Sequence, residues 1–237
     1  MPLTCSSARL ANSSTGGIPF NTLSLPRRQR LHLKVADALE YLRAASLESH
    51  ASVLAHHLYQ AGAAADSRRT ATFLMMASRR ALAAGAFEET LATFDQILAL
   101  ELPESGPLLG ETHEHRGEAL AGLQRYDGAV TAFDRALTIY STTKDDAGIA
   151  RGARSASDCF VWRGQLTAGL SFLTRGLHAL SIHAARERAP LLSWMAVARM
   201  SPAYLDEAWQ AIEEATVIAE RLADPDVFAD QDRYREL

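Results

Sequence analysis

The sequence is poor in the residues that build disulfide-rich domains or sheets. Its 237 residues include two cysteines, Cys5 and Cys159, which are too few for a disulfide framework and favour a reducing, cytoplasmic setting. Glycine (14) and proline (8) are too scarce for the many tight turns of an all-β protein of this length. The composition therefore excludes a disulfide miniprotein and disfavours sheets.

The chain also lacks the marks of a membrane or nucleic-acid-binding protein. No stretch approaches the roughly 18 consecutive apolar residues that a membrane-spanning helix needs, and the first ten residues are interrupted by polar ones, unlike a signal peptide. The net charge is −4, whereas nucleic-acid-binding domains usually carry a strongly basic face. We predict a cytoplasmic protein with no membrane association and no direct contact with nucleic acid.

The two ends of the chain differ from its middle. Residues 1–21 are rich in Ser, Thr, Asn and Gly without an apolar period, so we expect a disordered N-terminal segment. Residues 225–237 are predicted to form an acidic tail or a terminal helix. Between these ends the pattern predicts helix after helix, with breaks at Gly62, Gly85, Pro103 to Pro107, Thr142 to Asp145, Gly164, Pro190 and Pro202.

The first helix is predicted to begin at Pro26, behind a capping Ser24. Leu31, Val35 and Leu39 follow at helical spacing and form one apolar face. No predicted helix precedes them, so we expect this face to be only partly covered. A weak homodimer or a further domain at this end of the protein would cover it.

An apolar pattern recurs along the helical region at a nearly constant step. Four copies begin at Phe87, Tyr126, Leu166 and Leu205, with steps of 39, 40 and 39 residues, and a fainter copy begins at Leu47. A helical hairpin that repeats at such a step buries its apolar stripe against its neighbours. The sequence therefore predicts an all-α fold, a right-handed α-solenoid with a helical pair over 22–65 and repeats over 66–224.

Two stretches resemble tetratricopeptide repeats (TPR). One is Gly85-Ala86-Phe87-Glu88-Glu89-Thr90 followed by Phe94, and the other runs from Gly117-Glu118-Ala119 to Tyr126-Asp127-Gly128-Ala129 and Phe133. The resemblance covers about residues 71 to 222. It implies a superhelix in which the first helix of each pair lines a concave groove that binds a protein or peptide partner.

The resemblance also implies which side chains line that groove. The predicted set is Arg79, Glu111, Glu114, Glu118, Arg151, Arg154, Asp158 and Trp162. Mixed charges and one aromatic ring suit an extended peptide held by charge-assisted hydrogen bonds and an apolar anchor. We predict a binding surface of this kind, with no catalysis and no cofactor.

A narrower resemblance concerns the segment from Leu23 to Gly62. Its stretches Leu23-Ser24-Leu25-Pro26-Arg27-Arg28-Gln29-Arg30-Leu31-His32 and Glu48-Ser49-His50-Ala51-Ser52-Val53-Leu54-Ala55-His56-His57 are similar to the junction between ATPase module and helical repeats in bacterial signal-transducing NTPases. That group includes LuxR-type transcriptional regulators and cyclase-associated ATPases. The resemblance implies a sensor or scaffold segment with an NTPase domain at its N-terminal end.

The chain has neither the G-x-x-x-x-G-K-[ST] phosphate loop nor a recognisable helix-turn-helix of those proteins. We therefore expect a fragment or derivative of their sensor region. The alternative is a free-standing TPR adaptor that binds a partner peptide.

Histidines offer an alternative of another class. His50 and His57 lie seven residues apart, on one helical face, with His56 beside them, and neutral imidazoles so placed could bind a metal. No carboxylate completes the set, so we interpret them as packing residues and keep a metal-dependent helical protein as the alternative. Cys159 lies among apolar residues, which raises the pKa of a thiol and makes it unreactive.

Overall fold

The computed structural model describes residues 23–103, 106–199 and 205–223, with no side chains described for 205–208. Every regular element in these ranges is helical. The α-helices are α1 Leu25–Leu42, α2 Ala51–Ala61, α3 Ser67–Ala83, α4 Phe87–Leu98, α5 Pro107–Gly122, α6 Tyr126–Thr143, α7 Asp146–Val161, α8 Leu166–Ala179, α9 Ala185–Ala198 and α10 Leu205–Ala223. Short 3-10 turns at Ala44–Ser46, Glu48–His50 and Gly62–Ala64 connect the first three helices.

The helices pack as hairpins that stack on one another. Each of α3, α5, α7 and α9 pairs with the helix that follows it, and these four first helices contact one another in succession. The second helices α4, α6, α8 and α10 begin at Phe87, Tyr126, Leu166 and Leu205, where the copies of the sequence pattern begin. The predicted right-handed, TPR-like α-solenoid is confirmed. The fainter copy differs in where its helix begins, because Leu47 lies between two 3-10 turns and α2 begins only at Ala51.

Small residues let neighbouring helices approach closely. Gly176 of α8 faces Ala153 of α7 so closely that a methyl group on the glycine would lie 2.5 Å from the alanine Cβ. In α5, Gly110, Gly117 and Gly122 lie against the rings of Tyr140, Phe133 and Phe87, respectively. Each ring fills the space that the missing side chain leaves, which compensates for the low helix propensity of glycine.

The largest apolar cluster lies between α5 and α9. Phe133, Phe160 and Phe172 are almost fully buried there, and their ring centres are 5.7 to 6.2 Å apart. Offset and edge-to-face contacts at such distances add about 1 kcal/mol per pair to the stability that burial provides.

The predicted breaks are largely where the helices end, with one error. Gly62, Gly85 and Gly164 adopt the left-handed backbone conformation that favours glycine. Pro190 was expected to end a helix and instead lies inside α9. A proline there removes one backbone hydrogen bond at a cost of about 3 kcal/mol, which burial of the neighbouring Leu191, Leu192 and Met195 offsets. Pro202 lies outside the described residues, as do the segments 1–21 and 225–237.

The N-terminal helices α1 and α2 pack together and extend the stack from α3. Arg69 of α3 forms ion pairs with Asp37 and Glu40 of α1. Ser24 precedes α1, but its side chain makes no capping hydrogen bond, contrary to the prediction. None of the described helices is both long and apolar enough to cross a membrane.

Candidate functional site

Charged side chains cross the inner helices α3, α5 and α7 as a chain of ion pairs. Arg79 of α3 donates a hydrogen bond to Glu111 of α5, with 2.5 Å between Nη2 and Oε2. The other oxygen of Glu111 lies 3.8 Å from Nη2 of Arg151 on α7. Three consecutive first helices thus contribute to one polar surface.

Glu114 lies one turn further along α5 and is the most buried member of this chain, with 1% of its side chain exposed. It accepts hydrogen bonds from the Tyr140 hydroxyl at 2.7 Å and from Nε of Arg151 at 3.1 Å. Nη2 of Arg151 also donates to the Tyr140 oxygen at 2.8 Å. Glu114, Tyr140 and Arg151 therefore form a closed triangle that joins α5, α6 and α7.

Burial and charge shift the pKa values of this triangle. Burial raises the pKa of Glu114, and the Arg151 charge and the Tyr140 hydroxyl offset only part of that rise. Burial, together with the neighbouring carboxylate, also raises the pKa of Tyr140. Burial alone would lower the pKa of Arg151, but Glu114 and Tyr140 outweigh it and raise the pKa. Tyr140 and Arg151 therefore stay protonated around neutral pH.

Glu118 completes the polar strip on α5. It accepts a hydrogen bond from the Ser155 hydroxyl of α7 and lies 3.2 Å from Nδ1 of His115. Burial alone would raise the pKa of this carboxyl group, but His115, Ser155 and Arg151 outweigh it and lower the pKa. Glu118 is therefore held as a carboxylate whose oxygens already have partners.

An aromatic pair lies at the far end of the strip. Nε of Arg154 is 3.3 Å from Asp158, and its guanidinium lies 4.2 Å from the ring centre of Trp194 on α9. Trp162 caps the C-terminus of α7 and is 75% exposed, with its ring centre 6.3 Å from that of Trp194. The two indoles and the guanidinium between α7 and α9 offer a stacking surface to an apolar or aromatic side chain.

These side chains surround an open groove of about 520 Å³. Its lining consists of Leu82, Phe87, Glu114, His115, Glu118, Arg151, Arg154, Ser155, Asp158, Cys159 and Arg163. Five of the eight predicted residues therefore line one groove. Arg79 and Glu111 adjoin it through Arg151, whereas Trp162 is not part of its lining and meets Trp194 instead.

Sequence reasoning missed Tyr140, Ser155 and Trp194. Tyr140 lies on a second helix, where apolar residues were assigned to packing, and its ring is indeed buried while its hydroxyl reaches the groove. Trp194 was missed because a helix boundary was predicted at Pro190, whereas both residues lie in the same helix, four positions apart. Ser155 carried no recognisable signal.

The structure does not bring together the three histidines of the alternative metal site. His50 lies in a 3-10 turn, where its Nδ1 contacts the Ser46 carbonyl oxygen at 2.9 Å, away from the other two. The ring that joins His56 and His57 is His32 of α1, whose Nδ1 is 2.9 Å from Nδ1 of His57. Across the described ranges, no group of three or more His, Cys, Asp or Glu side chains is arranged to hold a metal ion.

Cys159 lies at the edge of the groove. Burial, helped by the negative charge of Glu118, raises the pKa of its thiol to about 12. The thiolate that a nucleophile would need is therefore scarce at neutral pH.

Comparisons with known proteins concern the fold. No protein-family model matches the sequence. No curated protein matches it.

Similar solved structures include the MamA protein, at 11% identity and a TM-score of 0.55 over 83% of this chain and 94% of that one. They also include two structures of a Podosopora anserina protein with nearly identical TPR-like repeats, named for the kinesin light chain. Those match at 15% and 16% identity, with TM-scores of 0.54 and 0.51, over 84% of this chain and 98% of theirs. At such identities the likeness shows the fold alone, and that fold is the TPR-like superhelix.

Proposed function

We propose that the protein is a non-catalytic interaction scaffold that binds an extended segment of a partner protein in the groove over α5 and α7. The observation that carries this proposal is the convergence of charged side chains from α5 and α7 on one open groove, which the pair of Arg79 with Glu111 extends to α3. The ion pair of the buried Glu114 with the half-exposed Arg151 adds little net stability, because desolvating the carboxylate costs about as much as the attraction between the two charges returns. We therefore assign this ion pair a role in binding a partner, since it contributes little to the stability of the fold.

The size of the groove fits a short peptide. Neighbouring helices pack roughly 9 Å apart, so the three inner helices α3, α5 and α7 span roughly 18 Å. An extended chain advances about 3.3 Å per residue, so about six residues reach across. Side chains from such a segment would meet the polar strip in the middle and the tryptophan pair at one end.

The regulatory context is a further part of the proposal. We place the chain in the sensor region of a bacterial signal-transducing ATPase or transcriptional regulator in the cytoplasm, supported by the resemblance of Leu23 to Gly62. Leu31 and Val35 of α1 are 41% and 40% exposed, which suits an NTPase domain or a weak homodimer at this end. An in-frame ATPase in the DNA upstream of Met1 supports the regulator, whereas its absence supports the free-standing adaptor.

Peptide selection tests the proposed function. A phage-displayed library of random peptides is panned on the purified chain, and the selected peptides are measured against Arg79→Gln with Arg154→Gln. The matched control is Arg175→Gln on α8, because Arg175 is 47% exposed, pairs with Asp134 at 2.6 Å and lies over an aromatic ring. We expect the selected peptides to lose affinity for the groove variant only. Peptides that bind both variants equally well would refute the groove as the binding site.

A further inference from the structure

We infer that the groove selects acidic partner segments, in which carboxylate side chains lie near one apolar side chain. This inference rests on the proposed function and specifies the chemistry of its partner. The groove carries similar numbers of arginines and carboxylates, so its charge is nearly balanced by count. The positively charged groups become dominant when exposure and free hydrogen-bond donors are considered.

The arginines beside the groove are more exposed than its carboxylates. The side chains of Arg79, Arg151 and Arg154 are 49%, 46% and 43% exposed. Glu111 and Glu118 are each 26% exposed, Glu114 is 1% exposed, and Asp158, which pairs with Arg154, is 38% exposed. A ligand in the groove therefore meets guanidinium groups first, and the carboxylates serve mainly to hold those groups in place.

Hydrogen-bond capacity is uneven in the same direction. The carboxylates of Glu111, Glu114 and Glu118 each have two partners among the described residues. Each guanidinium carries five N–H donors, and the ion pairs of Arg79 and Arg154 with Glu111 and Asp158 use only part of them. The unused donors thus lie on half-exposed arginines, whereas the acceptor sites that remain on Glu111, Glu114 and Glu118 lie on mostly buried carboxylates. A carboxylate is the peptide group that such a surface binds best, in charge-assisted hydrogen bonds.

The end of the groove adds an apolar requirement. Arg154 stacks on Trp194, which fixes the plane of its guanidinium beside the exposed ring of Trp162. A carboxylate bound to Arg154 therefore lies next to an aromatic surface. An apolar side chain close to that carboxylate in the partner would cover the indole ring and exclude water from the ion pair.

Fluorescence polarisation with synthetic peptides tests this inference. The probe is a fluorescein-labelled peptide in which glutamate alternates with serine on both sides of one phenylalanine. Matched probes carry glutamine or lysine in place of glutamate, and labelled oligothymidine tests for nucleic acid. We expect the glutamate peptide to bind at least about tenfold more tightly than the glutamine peptide, since charged hydrogen bonds contribute more than neutral ones. Its affinity should fall as salt is raised.

Variants of the protein distinguish a loss of the binding surface from a loss of folding. Arg79→Gln with Arg154→Gln should weaken the glutamate peptide about tenfold, and Arg175→Gln should leave it unchanged. A second variant, Glu114→Gln with Arg151→Gln, removes the buried carboxylate together with its half-exposed arginine partner, while a side-chain oxygen remains for the Tyr140 hydroxyl. It should also weaken the glutamate peptide, and circular dichroism melting checks that each variant is folded.

Several results would overturn the inference. Equal binding of the glutamate and lysine peptides, tighter binding of the lysine peptide, or preferential binding of oligothymidine each contradicts an acidic peptide as the partner. The panning experiment keeps the two proposals distinguishable. If panned peptides depend on the groove arginines but are basic or uncharged, the proposed function stands and the acidic preference is wrong. If no peptide depends on the groove, both proposals are wrong.

Discussion

Replacement of Gly117 by alanine should destabilise the protein, although alanine is the better helix former. A methyl group at Gly117 would meet three ring atoms of Phe133 at 2.8 to 2.9 Å, whereas ordinary contacts begin at 3.4 Å. The ring therefore has to retreat by about 0.6 Å. Phe133 is fully buried and packs on Phe160 and Phe172, so no empty space receives it.

The magnitude follows from two opposing terms. Alanine gains about 1 kcal/mol over glycine inside a helix. Overpacking a filled core costs about 1 to 3 kcal/mol. Their difference is a loss of about 0 to 2 kcal/mol. Because no empty space receives the ring, we expect Gly117→Ala to fall in the upper half of that range, about 1 to 2 kcal/mol, which lowers the melting temperature by about 2 to 8 °C for a chain of this size.

Gly128→Ala is the matched control. The nearest atom to its added methyl group is Cδ1 of Leu120 at 3.4 Å, on a flexible and partly exposed side chain. This variant should gain about 0.5 to 1 kcal/mol. Thermal and urea unfolding followed by circular dichroism measure both. A Gly117→Ala protein as stable as the wild type, or more stable, would refute the close packing of Gly117 on Phe133.

Three further results are expected. Phe133→Ala should cost about 3 to 5 kcal/mol in urea unfolding, the usual range for a buried phenylalanine, and a loss below about 1 kcal/mol would contradict its burial. Burial, with the charges of Arg135 and Arg116, lowers the pKa of His113 to about 4. Its contribution to stability is therefore full above pH 6.5 and is lost as the pH falls toward 4, by up to about 3 kcal/mol, and His113→Gln should remove that pH dependence. Leu31→Glu with Val35→Glu should render any dimer monomeric in sedimentation, and a dimer that persists would place its interface elsewhere.

The fold could be predicted because the apolar pattern that specifies it is local in sequence and repeats at a regular step. The second helix of each hairpin buries one face against two neighbours, so its apolar residues recur at fixed offsets, and even the first residues of α4 and α6 follow from the pattern. The continuity of helix α9 was not predicted, because a helix boundary was expected at Pro190. The local preference of Pro190 for a helix boundary is weaker than the tertiary packing of the residues around it.

The candidate site was only partly predictable, because its contacts join residues far apart in sequence. The hydrogen bonds that Glu114 accepts cross to residues 26 and 37 positions away, on two other helices. The resemblance to tetratricopeptide repeats implied that Glu114 and Arg151 line the groove, but it could not tell which of the two charges would be buried. The contact between His32 and His57 was not predicted for the same reason, since the two residues are 25 positions apart and only the packing of α1 on α2 joins them.

Tyr140 belongs both to the apolar core and to the groove. Its ring lies against Gly110 of α5 and against Gly148 and Gly152 of α7. Its hydroxyl extends past these helices to Glu114 and Arg151. Because glycine leaves room on both sides, a second-helix residue can pass between two first helices and donate a hydrogen bond at the groove. The same small residues that close the core therefore also set the position of the guanidinium that the groove presents to a partner.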